Sequence, residues 1–550
     1  MRKHPFNPVT YYTRFRDMID DLAKKYGDQP AISWFSRKQQ ETTVSYQQLC
    51  EDVQYLQEAL IDMGLDGKHI AIVGENCYEW LLVYFAVNYC GGTAVCIDVE
   101  QSDETIQYML AAADTDAIFL SPAYADVCAA FSGARIPQFL LYGKNESLQQ
   151  VRHLIESGAK IRLDGRANAD VEATVTPDKI ASIVFTSGTT SNAKPVMLSQ
   201  EAILTNASDA LANVKIGPRT FTSLPFYHTY GLTCSVLSML IPGSHLHING
   251  NLKTVVRDLR LSNADTMLTV PLMLEMIHGR IWQNAEESGK DEALKKLFKF
   301  AKFLRSVGIR KPIKILDDIR EKSFGTINLV ICGGAHMNRE IMEQFQCMGV
   351  TVLQGYGITE CGPLVSVNRN EANKLDSVGL VTANCEVKLD NGEILVRGKN
   401  LMSGYYNHPE MTAEVMRDGW FCTGDIGEID KDGFLYITGR KKNLIVFKNG
   451  KKLSPEKLEE KIKKIPIVQD VLVYGAANGV SSDDVQVATS IYPKADSVQS
   501  MTSYEILEYL QKEINEINSS LPPYQQIQMI NIREQAFSKT ALQKIKRHLV

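Results

Sequence analysis

Read from the N-terminus, the apolar positions alternate between helical and strand periods. Phe15, Met18, Ile19 and Leu22 recur at helical spacing, and Gly27 follows as a stop. Ser45 opens a second helix, with Leu49, Val53, Leu56 and Leu60 on one face and Gly64 near its end. The run HIAIVG that comes next is typical of a strand buried on both faces. A helix to about Cys90, the strand TAVCI, a helix from Asp103 and the strand AIFL continue the alternation. Repeated strand–helix units predict parallel sheets covered by helices. Trp80 to Ile97 carries no charge and is long enough to cross a bilayer, but Asn88 and Gly91-Gly92 divide it into a helix and a short strand. We therefore expect no transmembrane segment.

The last hundred residues read differently. From Asn443 the pattern predicts a strand (NLIVF), a helix (SPEKLEEKIKKI) with Glu459–Lys463 and Glu460–Lys464 pairs on its exposed face, and the strands VQDVLVYG and VQVATSIY. A further helix opens on the box Thr502-x-x-Glu505, carries Leu507, Leu510, Ile514 and Ile517 on one face, and is stopped by Pro522-Pro523. The fold class expected is α/β: a large N-terminal domain, residues 1–440, of helix-covered, mostly parallel sheets, and a small mobile C-terminal α+β domain, residues 441–550. The joint at GRKKN (439–443) is short, which predicts a hinge with defined positions near Lys442 rather than a tether.

Composition narrows the choice. At 550 residues, a prior of about 150 per domain gives roughly three to four structural units. Hydrophobic residues at 44% and charged residues at 22% exclude disorder and small disulfide scaffolds. A net charge of -5 gives no basic footprint for nucleic acid. The eleven cysteines show no C-x-x-C or Cys/His ligand spacing, which in a chain this long predicts reduced thiols and a cytoplasmic setting. MRKHPFNPVTYY has positive charge but no apolar core behind it, so no signal peptide is expected.

The strongest chemical signal is SIVFTSGTTSNAKPVMLS, residues 182–199. A strand leads into a loop in which Thr186, Ser187, Thr189 and Thr190 supply hydroxyls, Gly188 lets the backbone approach closely and Lys194 supplies charge. Such a loop suits a polyphosphate, although it does not match the Walker spacing. Alone it reads equally well as a Ser/Thr-rich surface turn. Further along lie LPFYHTYG (224–231), ICGGAHM (331–337), QGYGITECGP (354–363), GWFCTGDIGEIDKDGFLYITGRKKN (419–443), NGKKLSPEKLEE (449–460) and AFSKTALQKIKR (536–547).

In this order and spacing, these segments resemble the adenylate-forming superfamily of acyl-CoA synthetases, luciferases and peptide-synthetase adenylation domains. The resemblance runs from about Ser45 to the C-terminus, and LPPY followed by FSKT looks like bacterial long-chain acyl-CoA synthetases. It implies ATP- and Mg²⁺-dependent conversion of a carboxylic acid to its acyl-adenylate, followed by transfer to CoA. On that resemblance, Thr186, Ser187, Gly188, Thr189, Thr190 and Lys194 would hold the β- and γ-phosphates. Gly334, Ala335 and His336, with Gly355, Tyr356 and Gly357, would line the adenine and the carboxylate end of the acid. Thr359 would touch the α-phosphate, Glu360 would ligate Mg²⁺, and Asp425 and Arg440 would meet the ribose. Lys544 aligns with the lysine that spans the carboxylate and α-phosphate, and Lys442 with the hinge. His228 and Gly231 would line the acid tunnel, and the loop with Gly450 and Lys451 would reach the pantetheine channel.

The charge logic is independent of the resemblance. A carboxylate attacking an α-phosphate brings two anions together, so cations must neutralise the site. Three loop positions usually held by Gly, Pro and Gly are here Ser191, Ala193 and Pro195, and Gln543 stands where glycine is common. These narrow the backbone freedom of the loop. For the acid, PFYHTYGLT offers no carboxylate to pair an amino acid's ammonium, and the stretches GLTCSVLSMLIPG and VPLMLEMI predict an apolar pocket that favours a fatty acid. Two alternatives stand beside this reading: a ligase that loads a separate acyl carrier protein, and a catalytically weakened nucleotide- or acid-binding homologue.

Overall fold

The computed structural model describes residues 4–131, 136–144, 147–166, 175–186, 193–309, 311–447, 451–477, 485–539, 545 and 547. The chain divides into two compact units, residues 1–386 with 396–421, and residues 387–395 with 422–550. This division by packing lies upstream of the joint expected near residue 440.

The larger unit carries two helix-covered sheets. In the first, the strands Thr351–Gly357, Leu329–Cys332, Thr266–Thr269, Arg219–Thr222, His245–Ile248 and Pro30–Phe35 lie side by side and parallel. Antiparallel strands finish both sides, Leu364–Val367 and Leu380–Val381 at one edge and Glu41–Ser45 at the other. The second sheet runs Gly404–Tyr405, Lys194–Ser199, Ile180–Thr186, Thr93–Cys96, His69–Val73, Ala117–Leu120 and Gln138–Leu140, with only the first two pairings antiparallel. Parallel sheets need cover on both faces, which is why their strands read as continuous apolar runs.

The uncharged stretch after Trp80 is the helix Tyr78–Tyr89 followed by the strand Thr93–Cys96, as its glycines predict. The helix is buried all round, with Trp80 stacked on Tyr84 and the Tyr84 hydroxyl 2.8 Å from Ser182 Oγ. Among the described residues, no helix is long and apolar enough to cross a membrane. All eleven cysteines are free thiols, most of them buried.

In the smaller unit, Val468–Ala477 and Val485–Pro493 pair antiparallel, and Ile527–Ile532 joins the latter in parallel. Leu458 and Ile462 of the helix Pro455–Ile462 share one core with Leu510 and Ile514 of Ser503–Ser519. The capping box forms as read: the Thr502 hydroxyl accepts from Glu505 N, and the Glu505 carboxylate accepts from Thr502 N at 2.7 Å. The first helix stops at Ile462, and Glu459 is not the exposed partner of Lys463 that i,i+4 spacing suggested. It turns inward, accepting from Val473 N at 2.7 Å and pairing with the Arg547 guanidinium. The strand expected over NLIVF shrinks to Ile445–Val446, paired with Lys452–Leu453.

Candidate functional site

The two sheets of the larger unit each deliver a loop at the C-terminal end of a strand, the place where α/β sheets bind ligands. Thr186 ends one strand and Lys194 begins its antiparallel neighbour, so the two residues face each other across the base of the hairpin. Ser187, Gly188, Thr189, Thr190 and Ser191 lie outside the described residues, as do Gly450, Gln543 and Lys544. Of the departures in the loop, Ala193 packs into the apolar cluster behind the sheet, and Pro195 pairs with Phe185 inside it. Proline cannot donate to a ladder. Its carbonyl nonetheless accepts from Tyr406 N at 2.8 Å, so the strand keeps its neighbour on that side.

Glu360 arrives from the other sheet, in a short 3₁₀ turn Thr359–Cys361 after the strand Thr351–Gly357. The two loops are joined by Tyr405, a residue the sequence reading did not single out. Its hydroxyl donates to Glu360 Oε1 at 2.9 Å, and its ring lies 5.2 Å from Lys194 Nζ. Glu360 is 7% exposed. Burial, reinforced by the Glu360 carboxylate, pushes the Tyr405 phenol far above its ordinary value, so it stays a donor. The turn is braced from behind: Asn400 Nδ2 donates to Cys361 O at 2.9 Å, and Met402 N donates to Glu360 O at 2.8 Å. Asn206, fully buried, clamps the next peptide by donating to Leu364 O at 2.7 Å and accepting from Leu364 N at 2.9 Å.

The glycine motifs have steric reasons. A Cβ on Gly357 would stand 2.5 Å from Pro363 O, so only glycine lets the chain fold back there. Gly334, at φ +89°, opens the exposed segment Gly334, Ala335 and His336 after the parallel neighbour Leu329–Cys332. Gln354 ties the two loops, its Oε1 accepting from Met337 N at 3.2 Å. Tyr356 is buried between its glycines.

The segment assigned to a tunnel follows the strand Arg219–Thr222 in the same sheet. His228 is half-buried against the Tyr227 ring, and a Cβ on Gly231 would run into Pro225 O. From Tyr230 to Leu237 the chain forms a π-helical turn, a wide winding often found at functional positions. The Tyr230 hydroxyl donates to Ile331 O at 3.1 Å, placing this turn beneath the loop at Gly333 and Gly334.

In the smaller unit, Asp425 and Arg440 are direct partners across an antiparallel pair, Trp420–Ile429 with Leu435–Arg440. Arg440 Nε lies 2.9 Å from Asp425 Oδ1, with the carboxylate almost fully buried and the guanidinium half exposed. Asp425 N donates to Thr423 Oγ1 at 3.0 Å, which fixes the turn. Lys442 is exposed in the short turn Lys441–Asn443. Lys451 Nζ sits 4.4 Å from the centre of the Tyr524 ring. Near the C-terminus Lys539 pairs with Asp470 at 2.9 Å and bridges to Ile545, while Arg547 binds Glu459.

Two helix-covered sheets, joined where Tyr405 meets both Lys194 and the buried Glu360, define an α/β protein. The comparisons give the family. Residues 19–406 match the sequence model of the AMP-binding enzymes, and residues 442–550 match that of the AMP-binding enzyme C-terminal domain. The chain belongs to the AMP-binding enzyme family. It is 28% identical over 444 residues to the long-chain-fatty-acid–CoA ligase FadD15 of Mycobacterium bovis, covering 76% of this chain and 73% of that one. It is 24% identical over 511 residues to the long-chain-fatty-acid–CoA ligase of Bacillus subtilis, covering 86% and 84%. The fold matches the crystal structure of ATP-bound MatB from Rhodopseudomonas palustris with a TM-score of 0.75, at 20% identity and 98% coverage of both chains.

Proposed function

We propose that this protein activates a fatty acid with ATP, forming the acyl-adenylate and pyrophosphate, and then transfers the acyl group to the thiol of CoA with release of AMP. The observation that carries the reading is the line Lys194–Tyr405–Glu360, which joins the hairpin loop to the acidic turn in a family member whose curated relatives are named for this reaction.

In this reading Thr186 and Lys194, with Ser187, Gly188, Thr189 and Thr190, cradle the β- and γ-phosphates. Gly334, Ala335, His336 and Gly355 to Gly357 let the backbone close on the adenine and the acid's carboxylate. Thr359 meets the α-phosphate. Asp425 accepts from the ribose hydroxyls with Arg440 beside it, a strong bond because the acceptor is ionised. The donor set suits Mg²⁺, a hard ion that takes one or two carboxylates together with phosphate oxygens. Glu360 would hold the ion, whose charge offsets that of the phosphates. Lys544 then bridges the carboxylate and α-phosphate as the carboxylate oxygen attacks phosphorus and pyrophosphate leaves. Movement at Lys442 withdraws Lys544 and brings Gly450 and Lys451 to the thiol channel, while His228 and Gly231 line the path of the acid.

ATP–pyrophosphate exchange across acids from acetate to long fatty acids, benzoates and amino acids tests this. Exchange with fatty acids and not with amino acids is expected, and saturable ATP binding without exchange for any acid would overturn it. Replacing CoA by an acyl carrier protein in the second step distinguishes the thiol acceptor. Lys544→Ala should lower adenylation roughly 10²–10³-fold while sparing thioester formation from preformed acyl-adenylate.

A further inference from the structure

Away from this site, one edge of the first sheet gathers side chains that the proposed reaction does not use. The strand His245–Ile248 reads His-x-His, so His245 and His247 project from one face. Its neighbour Pro30–Phe35 sets Ser33 opposite His247, and the terminal strand Glu41–Ser45 sets Glu41 opposite Phe35. Register therefore places Glu41, His245 and His247 on the same face of three consecutive strands. The imidazole centres are 4.2 Å apart. His247 Nε2 lies 3.0 Å from Glu41 Oε1, and His245 Nε2 lies 2.7 Å from Ser33 Oγ. One ligand atom from each of the three residues falls within 4.8 Å of the others.

We propose that Glu41, His245 and His247 form a binding site for a zinc-class divalent cation, which pins the terminal strand to the sheet.

The donor chemistry is that of such an ion: two imidazoles and one carboxylate, with a fourth position left for water. Tetrahedral ligands at zinc stand roughly 3.3–3.5 Å from one another, given bond lengths near 2.1 Å. The Glu41–His247 separation is already shorter than that, and rotation of the half-exposed His245 away from Ser33 closes the third side. The site is half-formed without metal because His247 is 1% exposed and stacked on Phe35 at 5.9 Å, which holds its ring in place. Glu41 lies at the surface, giving the ion an entry path. Neutral imidazole is the ligand form. Arg219 is turned to Ser262 O at 2.8 Å. A metal bridging the first and third strands would resist fraying of the sheet edge, where backbone groups lack partners on one side.

The test uses the full chain without an affinity tag, titrated with Zn²⁺ by calorimetry and with Co²⁺ by visible absorption. One ion per chain is expected, with a Zn²⁺-dependent rise in Tm. Glu41→Gln and His245→Asn should each weaken Zn²⁺ binding by about tenfold or more and abolish the rise in Tm. Glu41 is exposed, so its variant keeps the metal-free Tm of the parent. Unchanged Zn²⁺ affinity in both variants would overturn the site. So would a thiolate-to-Co²⁺ charge-transfer band, which would place the ion on cysteines.

Discussion

The Tyr405 hydroxyl donates to Glu360 Oε1 at 2.9 Å, linking a two-residue strand at the edge of one sheet to the acidic turn of the other. That bond holds a buried carboxylate in one orientation without neutralising it. Tyr405→Phe removes the donor and keeps the ring under Lys194. A bond to a charged group contributes about 1.5–3 kcal/mol, so adenylation should fall roughly 10- to 100-fold. If Glu360 holds the cation, the loss should be partly recovered at high Mg²⁺. Pyrophosphate exchange measured against Mg²⁺ concentration checks both statements.

Asn206 acts on the same turn from the opposite side. Its amide satisfies both polar groups of Leu364 in a fully buried position. Asn206→Ala leaves a peptide N–H without its partner there, and should destabilise the fold by about 2–4 kcal/mol. A lower urea midpoint at unchanged m-value is the expected reading.

On the proposed ribose contact, a substitution at Asp425 separates nucleotide affinity from stability. Arg440 is half exposed, and so is solvated when its partner is removed. Asp425→Ala should cost little in Tm but raise the KM for ATP roughly 10²- to 10⁴-fold, for the loss of two charge-assisted bonds to a ribose. An equal loss of affinity for a nucleotide lacking both ribose hydroxyls would show that Asp425 serves only to position the strand.

One pH effect follows from the core of the larger unit. His278 Nε2 accepts from Trp282 Nε1 at 2.9 Å, and burial pushes the imidazole below its ordinary value of 6.5. The unfolded chain therefore takes up this proton at higher pH than the native chain does. Below about pH 6.5 the unfolded state binds more protons, so stability falls as the solution is acidified. His278→Gln removes that titration, and its Tm should decline less steeply than the parent's between neutrality and pH 5.

Long periodic elements were legible in the sequence because their signal repeats. Phe15 to Leu22 and Leu49 to Leu60 give whole faces, and the Thr502 box fixes a helix start, although in that last helix Ile506 joins Leu510 and Ile514 in the core and Leu507, expected on that face, is exposed. Motif residues such as Glu360 and Asp425 were legible through their neighbours in the chain. Tyr405 was not, since it stands 45 residues from Glu360 in a strand of two residues, too short to show a period. Glu459 misled for a related reason. Its i,i+4 spacing to Lys463 is local, whereas Arg547, its partner, lies 88 residues away. The wide winding from Tyr230 to Leu237 likewise shows in no local pattern, and its first residue meets a partner, Ile331 O, 101 residues away.

The smaller unit is discontinuous: the chain enters it at residue 387, leaves after 395 and returns at 422. A tight turn with Asn391 and Gly392, both at positive φ, makes the first visit short. Anyone exchanging C-terminal portions between relatives at residue 440 would move most of that unit and leave behind both residues 387–395 and the segment from 422 to the cut. Those two pieces pair with each other in one sheet and would keep that pairing, while contacts across the cut such as Lys441–Glu393 would join a foreign residue. A chimera that exchanges the whole unit requires two grafts, one from residue 422 onward and one carrying the nine residues 387–395.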